Sequence, residues 1–536
     1  MPNALSSINR IPRSRSALAA AIAVLVLGVG RARAQSGASP VLASTSVAGA
    51  EAASASHSAR VRHHRARSTR AATLRYESPV GVPALGNDLG AMLNARVRSG
   101  QWGALVMSLT RGDTLYSYQP DVELQPASNL KLFTTALALQ EYGADHEFST
   151  DVLRAGTVSA DGTLQGDLVL RGDGDPGISK RYIQGGAAAA MDDLAKAVVA
   201  AGIKRVSGSL IADASAFDPQ RIPEGWKTRY LQSGYAARVS ALSCNENLAT
   251  VTVVPGTGKQ PAHVSVDPAT DLPLSADVRT VAGRRARIMA RSLPNGGMEV
   301  RGSIGAHAGV HSYQVVVEDP TAFTAGAFRR ALENRGVQIT GATKFATTPN
   351  DAIKVAGLAS PPLSHLISAM NRESINHFAE LLFRDAGRKA ASDGVGSVET
   401  ANALLQTFLT HKVGAPAGAV VVADGSGLSV LDRVTPRSLV DLLAYANTAS
   451  WSDAFHASLP VAGESELLKR RMKYTPAQGN LHAKTGTTNN VISLGGYVTA
   501  RDGELLAFAF IYNGTDRWNA KTTIDAMGGT LAAFSR

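Results

Sequence analysis

Three short polar strings, far apart in the chain, carry residue types that could together perform nucleophilic catalysis. They are Ser128–Lys131, Ser374–Asn376 and Lys484–Thr487. A serine hydroxyl is a weak nucleophile and needs a base within hydrogen-bond reach. Ser128 and Lys131 lie three residues apart at the start of an apolar-periodic run, so on a helix they share one face and the amine can reach the hydroxyl. The first string therefore predicts a nucleophilic serine that is activated by a lysine.

The lysine can act as a base only in its neutral form, because an ammonium group has no lone pair. Partial burial and a second nearby cation both lower the pKa of a lysine, and Lys484 is the obvious second cation. The Ser374 hydroxyl could relay a proton to a leaving amine, and the Asn376 amide could hold the amide of a substrate. We therefore predict catalytic roles for Ser128, Lys131, Ser374, Asn376 and Lys484.

The third string is typical of an edge strand that enters a hairpin. A glycine inside a strand often marks the close approach of another backbone or of a ligand, and Gly486 stands between Thr485 and Thr487. An ammonium group and two hydroxyls form a suitable site for a terminal carboxylate. We therefore predict that Lys484, together with these three residues, binds the carboxylate end of a substrate.

Each string taken alone has an ordinary structural explanation. Ser-x-x-Lys occurs by chance roughly once in 300 positions at average residue usage, and an isolated copy would usually be a solvated first turn of a helix. Ser-x-Asn is common in turns and helix caps. The prediction therefore depends on the three strings occurring together and on the sequences around them.

Hydrophobic periodicity predicts a mixed α+β fold in which strands from both ends of the chain share one antiparallel sheet. Hairpins are predicted at 102–118 and 491–512, and helices at 85–99 and 518–534. The stretch from about 150 to 350 is different, because strand patterns dominate it.

At 536 residues the chain is longer than one hydrophobic core usually serves. We predict a catalytic domain made of 79–148 and 352–536. Inserted β-rich domains at 149–351 would split it in sequence but not in space, with an inner domain at roughly 218–300.

The N-terminus has the composition of a secretory signal. Basic residues precede an apolar stretch at 17–30, and Ala32–Ala34 offers a small-x-small cleavage site. We predict a cleavable signal peptide at 1–34 and a periplasmic protein, with an uncleaved anchor as the alternative. Residues 35–78 are rich in Ala, Ser and Arg, which predicts a disordered basic linker that could contact a membrane or wall surface.

The net charge of +11 is concentrated near the N-terminus. Residues 1–75 contain eleven Arg, no Lys and Glu51 as their single acid, which leaves about +1 on the rest of the chain. A nucleic-acid-binding protein carries its basic residues on a folded face, so no nucleic-acid partner is expected. Cys244 is the only cysteine, which excludes an intramolecular disulfide.

In the order Ser-x-x-Lys, Ser-x-Asn, Lys-Thr-Gly, the strings match the active-site set of penicillin-binding proteins and class A β-lactamases. The sequence resembles the low-molecular-mass class C penicillin-binding proteins, which are D-alanyl-D-alanine carboxypeptidases and endopeptidases of the cell envelope. The likeness covers roughly residues 80–536, and β-lactamases lack the long insertion between the first and second motifs. The segments that carry the resemblance are Pro126–Thr135, Gly174–Pro176, Tyr235–Asn247, Asn371–Glu380 and Asp424–Ser429.

The resemblance implies a β-lactamase/transpeptidase-like catalytic domain, with an antiparallel sheet flanked by helices and an insertion of two nested domains. Ser128 would be the nucleophile and Lys131 its general base. The backbone N–H groups of Ser128 and Thr487 would form the oxyanion hole.

The resemblance also implies that Asp175 contacts the substrate. In the family, an Asp of this segment and an Arg bind the diaminopimelyl end of the stem peptide. Here Val430 occupies the usual place of the Arg, and Arg433 follows slightly downstream.

We therefore predict a serine-type D-alanyl-D-alanine carboxypeptidase with DD-endopeptidase activity on peptidoglycan stem peptides. It would act through an acyl-enzyme at Ser128 and be acylated by β-lactam antibiotics, without a metal or other cofactor. One alternative is a β-lactamase, which needs a group to activate the deacylating water that no motif supplies here. The other is a non-catalytic wall-binding protein anchored by the basic linker.

Overall fold

The computed structural model describes residues 75–97, 99–258 and 260–536. The predicted signal peptide and nearly all of the predicted linker lie outside these residues. Within them, no helix is both long enough and apolar enough to cross a membrane.

The first described segment begins the main sheet and ends in the helix that carries Lys131. Leu85, Leu89 and Leu93 repeat at helical spacing, and all three are buried on one face of the first helix. The elements of this segment are α1 (Val82–Ala95), β1 (Gln101–Ser108), β2 (Thr114–Tyr118) and α2 (Leu130–Tyr142).

The middle segment consists mainly of strands, as its pattern predicts. Asp319 is the N-cap of its second helix, and its side chain accepts a hydrogen bond from the Ala322 N–H. Pro320 takes the first helical position. The elements are β3 (Ser149–Val158), β4 (Thr163–Gly172), α3 (Gly186–Ala200), β5 (Arg205–Val206), β6 (Leu210–Asp213), β7 (Leu248–Val254), β8 (His263–Asp267), β9 (Leu274–Val281), β10 (Ala286–Ser292), β11 (Met298–Gly305), β12 (His311–Val316), α4 (Pro320–Asn334), β13 (Gln338–Ile339), β14 (Thr343–Phe345) and β15 (Ile353–Ala359).

The last segment is helical until it returns to the main sheet. Its elements are α5 (Leu363–Glu373), α6 (Asn376–Ala390), α7 (Val398–Phe408), β16 (Val420–Val421), β17 (Arg433–Val434), α8 (Pro436–Thr448), α9 (Ser452–Ala457), β18 (His482–Thr487), β19 (Val491–Thr499), β20 (Leu505–Asn513) and α10 (Arg517–Ala533).

Strands from the two ends of the chain form one antiparallel five-stranded sheet, which confirms the prediction. Its order is β18-β19-β20-β1-β2. α1 and α10 cover one face, where Leu89, Phe510 and Ile524 belong to one buried cluster. α8 covers the other face, next to the larger helical core that contains Phe133 and Phe378. The sheet therefore has helices on both faces.

The middle segment forms separate sheets. The largest has seven strands, with β13-β5-β4-β3-β15 in order and β6 and β14 branching from β4. β12, β7 and β8 form a three-stranded sheet, and β10, β11 and β9 form another. Because β15 pairs with β3, residues 353–359 lie in the seven-stranded sheet and not with the catalytic segment, where the prediction had placed them. The two small sheets extend to Val316, beyond the predicted inner limit of residue 300.

Phe378→Ala should destabilise the protein strongly, because this ring is fully buried on α6, which packs against α2. Removing a buried phenylalanine side chain typically costs about 3–5 kcal/mol of the free energy of unfolding. Trp518→Ala is the matched control, since Trp518 is 79% exposed; its loss should cost less than about 0.5 kcal/mol. Chemical denaturation followed by circular dichroism measures both changes, and equal losses would contradict this packing.

Candidate active site

The segment around Ser128 is a tight turn that places the serine at the start of a helix. Ala127–Asn129 form a single 3-10 turn that runs directly into α2. Ala127 has a φ of 49°, in the left-handed region that costs a non-glycine residue about 1–2 kcal/mol. Gly427 packs so closely on this turn that an added Cβ would lie 1.9 Å from the Ala127 carbonyl oxygen. Neighbouring backbone therefore holds the turn in shape, and Ser128 stays partly exposed.

Lys131 is fully buried at the start of α2, and its amine lies among three oxygen atoms. Nζ is 3.0 Å from Ser128 Oγ, 2.6 Å from Asn376 Oδ1 and 2.7 Å from the Ser426 carbonyl oxygen. The last two oxygens can only accept hydrogen bonds, so they take two N–H groups of the amine. In a neutral lysine, the lone pair is then left for the proton of the Ser128 hydroxyl. This geometry suits a base that deprotonates the serine.

Asn376 is held at both ends of its side-chain amide. Oδ1 accepts from Lys131, and Nδ2 donates to the Tyr235 carbonyl at 2.8 Å. The reversed amide would place an N–H group against the lysine amine and an oxygen against a carbonyl, so these partners set its orientation. The second N–H of Nδ2 has no acceptor among the described residues and is available to a ligand.

Ser374 lies in the connection between α5 and α6, as its flanking sequence predicts. Its φ and ψ of 60° and 45° are left-handed, which reverses the chain between the two helices. Lys484 Nζ lies 3.0 Å from Ser374 Oγ and also donates to the Thr485 carbonyl at 3.0 Å. The second and third strings therefore meet at this lysine–serine contact.

The third string lies on β18, at the edge of the main sheet, as its pattern predicts. Gly486 stands where the strand meets the turn formed by Ala127–Asn129. An added Cβ there would be 2.1 Å from Ser493 Oγ and 2.6 Å from the Pro126 carbonyl oxygen, and Ser493 Oγ donates to that carbonyl at 2.7 Å. Thr485 is buried, whereas Thr487 is exposed at the end of the strand.

Burial lowers the pKa of both lysines of the site. The pKa of Lys131 falls from the ordinary 10.5 to about 8 because burial disfavours the ammonium form, although the carboxyl groups of Asp424, Glu380 and Asp432 oppose the shift. The pKa of Lys484 is lowered well below its ordinary value, by burial first and by the charge of Lys131 second. Two neighbouring buried amines compete for protons, so the site favours a state in which one of them is neutral.

Three buried carboxyl groups lie near Lys131, and the sequence motifs predicted a role for none of them. Asp424 accepts hydrogen bonds from backbone N–H groups of its own loop and from the Trp226 indole N–H at 2.7 Å. Glu380 accepts from the same loop at 3.1 Å, and burial raises its pKa to about 8. Burial and the neighbouring Asp424 raise the pKa of Asp432 well above its ordinary value. Together these groups hold the loop that presents its carbonyl to Lys131.

The middle segment of the chain supports the site from one side. Besides the Tyr235 carbonyl that holds Asn376, the Asn247 side-chain amide forms a hydrogen bond with Nε2 of His377 at 3.0 Å. Residues 245–247 all have φ between 52° and 56°, a rare run for non-glycine residues that surrounding contacts must stabilise. The insertion therefore takes part in building the site.

Comparison with known proteins identifies the chain over most of its length. The model of the D-Ala-D-Ala carboxypeptidase 3 (S13) family matches residues 88–534. The chain belongs to this family. It is therefore a hydrolase of the serine peptidase class, which confirms the resemblance found in the sequence.

Two relatives of known function match at the level of sequence. The D-alanyl-D-alanine carboxypeptidase of Actinomadura sp. (strain R39) is 34% identical over 451 residues, which cover 81% of this chain and 81% of that protein. The D-alanyl-D-alanine carboxypeptidase DacB of Haemophilus influenzae is 25% identical over 428 residues, which cover 77% of this chain and 85% of that protein.

Solved structures confirm the predicted fold. Penicillin binding protein 4 (dacB) from Haemophilus influenzae has a TM-score of 0.71 at 21% identity, over 83% of this chain and 99% of that one. A complex of the same protein with a novel β-lactam has a TM-score of 0.66 at 21% identity, over 82% of this chain and 97% of that one. The S13 chain described here thus has the mixed α/β fold of that protein.

Among the described residues, no hydrogen bond or ion pair joins Asp175 to the other predicted site residues. It is buried, its carboxylate accepts from the Gly177 N–H at 2.5 Å, and burial raises its pKa to about 7. The Arg433 guanidinium donates to the Val430 and Asp432 carbonyls at 2.8 and 2.7 Å. Among the described residues, Asp175 and Arg433 share no ion pair, and their role in binding the diaminopimelyl end stays a prediction.

Sequence reasoning missed the groups that hold the site together. The carbonyls of Ser426 and Tyr235 carry no signal in residue type, because every residue has a carbonyl. Glu380 did carry a signal: it follows Asn376 by four residues on an apolar helix, so both side chains lie on one face. An acid on the inward face of such a helix could have been recognised as part of a buried polar network.

Gly486→Ala should destabilise the protein, because the added methyl group has no room between β18 and the turn formed by Ala127–Asn129. Overpacking of this kind typically costs about 1–3 kcal/mol of the free energy of unfolding. The control is Gly86→Ala in α1, where no atom lies within 4 Å of the added Cβ and alanine should be neutral or stabilising. If the Gly486→Ala protein were as stable as the wild type in thermal and chemical unfolding, the tight contact of strand and turn would be refuted.

Proposed function

We propose that the protein is a serine-type D-alanyl-D-alanine carboxypeptidase with DD-endopeptidase activity on peptidoglycan stem peptides. The observation that carries the proposal is the 3.0 Å contact between Lys131 Nζ and Ser128 Oγ, with the other bonds of the amine committed to acceptors. Membership of the S13 family and the likeness to D-alanyl-D-alanine carboxypeptidases support the substrate class.

The proposed acylation starts with attack of Ser128 Oγ on the carbonyl carbon between the last two D-Ala residues, while Lys131 Nζ takes the hydroxyl proton. The backbone N–H groups of Ser128 and Thr487 would hold the resulting oxyanion. The C–N bond then breaks, the proton held by Lys131 passes through the Ser374 hydroxyl to the leaving amine, and D-Ala departs, which leaves Lys131 neutral again. In the second step water attacks the ester carbonyl while Lys131 takes a proton from it. As the ester C–O bond breaks, Lys131 returns this proton to Ser128 Oγ and the shortened peptide leaves with a free carboxylate.

The edge strand would bind the end of the substrate. Lys484, Thr485 and Thr487 are proposed to hold the terminal D-Ala carboxylate, and the free N–H of Asn376 to donate to an amide carbonyl of the stem peptide. Cleavage of D-Ala–diaminopimelate cross-links uses the same acyl group and differs only in the leaving amine, so both activities follow from one site.

We also propose that β-lactams acylate Ser128 and inhibit the enzyme. The similarity to a penicillin binding protein solved with a β-lactam supports this part of the proposal. A β-lactamase would hydrolyse the acyl-enzyme repeatedly, and the sequence contains no identifiable motif for a second group, besides Lys131, that would activate the attacking water. The proposed enzyme should hydrolyse about one equivalent of nitrocefin per chain and then become nearly inactive. Sustained hydrolysis of nitrocefin would instead favour the β-lactamase.

Localisation and wall contact remain part of the proposal. The composition of residues 1–34 supports export to the periplasm, and the basic composition of 35–78 supports contact with an anionic membrane or wall surface.

Ser128→Ala should abolish labelling by fluorescent penicillin and lower D-Ala release from muropeptides by at least about a thousandfold, because no acyl-enzyme can form. Ser117→Ala, at an exposed serine of β2, is the matched control and should retain both activities. Denaturing gels report the labelling, and mass analysis of digested muropeptides reports loss of D-Ala and cleavage of cross-linked dimers. Labelling of Ser128→Ala at the level of the wild type would overturn the assignment.

The rate of acylation by benzylpenicillin should rise with pH and level off above about pH 9. Burial lowers the pKa of Lys131 to about 8, so its neutral fraction is about a tenth at pH 7 and nearly complete above about pH 9. Asn376→Asp places a carboxylate at the position of an oxygen 2.6 Å from Nζ, which favours the ammonium form and should move the profile up by at least about one pH unit. Stopped-flow measurement from about pH 6 to about pH 9.5 covers this range. A flat or falling rate in the wild type would exclude Lys131 as the base.

A further inference from the structure

The sheet formed by β9, β10 and β11 has one buried face and one face exposed to solvent. Along β10, Arg287, Met289 and Arg291 are exposed, while the residues between them are less exposed. On the opposite face, Val300 and Ile304 belong to the buried core of the inserted segment. The exposed face is therefore not needed for packing within the described chain.

Arginines dominate this exposed face and the turn that joins β9 to β10. Residues directly opposite each other on paired strands lie on the same face. Arg287 is opposite Ser303, which is opposite Arg279, so one row across the sheet carries two arginines and no acid. We call the following exposed residues the arginine face: Arg279, Arg284, Arg285, Arg287, Arg291 and Arg301.

The two ends of the arginine face differ in charge compensation. At one end Arg291 and Arg301 both pair with Glu299, at 2.8 and 2.6 Å, and Asp277 lies opposite Arg301. At the other end, four arginines form no ion pair with any residue that the structure describes. These four, which we call the open end, are Arg279, Arg284, Arg285 and Arg287.

The arginine face concentrates charge that is almost balanced elsewhere. Together with Asp277 and Glu299, its six arginines give a net charge of +4, whereas all residues after position 75 together carry only about +1. The other residues after position 75 therefore carry a slight net negative charge. A positive field confined to one sheet face attracts polyanions and orients them on that face.

We propose that the arginine face binds the peptidoglycan polymer through the free carboxylates of its stem peptides and holds the enzyme on its substrate. The guanidinium group matches a carboxylate with two parallel hydrogen bonds. Alternate residues on a strand are about 7 Å apart and neighbouring strands about 4.8 Å apart, so the open end presents several such sites within the reach of one polymer strand. This inference rests on the proposed function, because it takes the substrate polymer as the partner.

The composition of the face favours a hydrated polymer over a lipid surface. Trp and Tyr anchor proteins at a membrane interface, and β9, β10 and β11 contain no Trp, Tyr or Phe. The exposed large apolar side chains on this face are those of Met289 and Val281.

The test compares the wild type with two variants that lose the same charge, each in the full chain with its basic N-terminal region. The face variant neutralises the open end with Arg279→Gln, Arg284→Gln, Arg285→Gln and Arg287→Gln. The control variant neutralises exposed cations on other elements with Arg96→Gln, Arg205→Gln, Lys412→Gln and Arg501→Gln. Co-sedimentation with purified sacculi, freed of lipid and attached polymers, gives the dissociation constants.

The face variant should bind sacculi at least about tenfold more weakly than the wild type, and the control variant within about twofold. Wild-type binding should weaken markedly between about 50 and about 300 mM salt. Equal binding of the two variants would overturn the proposal. So would wild-type binding to vesicles of anionic phospholipid that is lost in the face variant while sacculus binding is unchanged.

Penicillin labelling and D-Ala release from a soluble pentapeptide should be the same in all three proteins, because the open end lies outside the catalytic residues. A wild type that neither labels nor releases D-Ala would defeat the proposed function. The arginine face is judged separately, by the sedimentation difference between the two variants.

Discussion

The structure depends on the burial of one amine among oxygens that can only accept hydrogen bonds. A buried ammonium group is costly unless it is paired, and Lys131 has the Asn376 amide and the Ser426 carbonyl as fixed partners. A neutral amine can donate one N–H to each of these oxygens, and its lone pair then points toward Ser128. The carboxyl groups of Asp424, Glu380 and Asp432 act in the opposite direction and keep the pKa of Lys131 near 8. The site therefore holds an amine whose charged and neutral forms are close in free energy at about pH 8.

The backbone of three distant segments must come very close for this arrangement to exist. Gly427 and Gly486 both pack against the turn around Ala127, so closely that neither position has room for a Cβ. The inserted segment adds the Tyr235 carbonyl, which fixes the amide of Asn376. Although the insertion separates the first two motifs in sequence, it supports the residue that links them in space.

The sequence predicted the parts of this structure that residue types and spacing encode. The hairpins at both ends, their common sheet and the three motifs follow from local patterns. The partner of β15 does not, because residues 353–359 could pair with either sheet and only tertiary contacts decide between them. The expected role of Asp175 came from a resemblance alone and stays a prediction, because burial by itself does not decide whether a carboxyl group meets a substrate.

The distribution of charge over the surface is a second feature that the sequence alone did not predict. The net charge after residue 75 is only about +1, but strand register gathers Arg279 and Arg287 on one face of one sheet. Register is set by pairing between strands, and a sum over the sequence cannot report it.

The most direct test of the account is the pKa of Lys131 itself, measured by NMR on protein with isotopically labelled lysine and assigned with Lys131→Arg. The account predicts a titration near pH 8, well below the ordinary 10.5, in a protein that also reacts with penicillin. A Lys131 that titrates at or above the ordinary value would show a permanent ammonium group beside Ser128, and the serine would have lost its base.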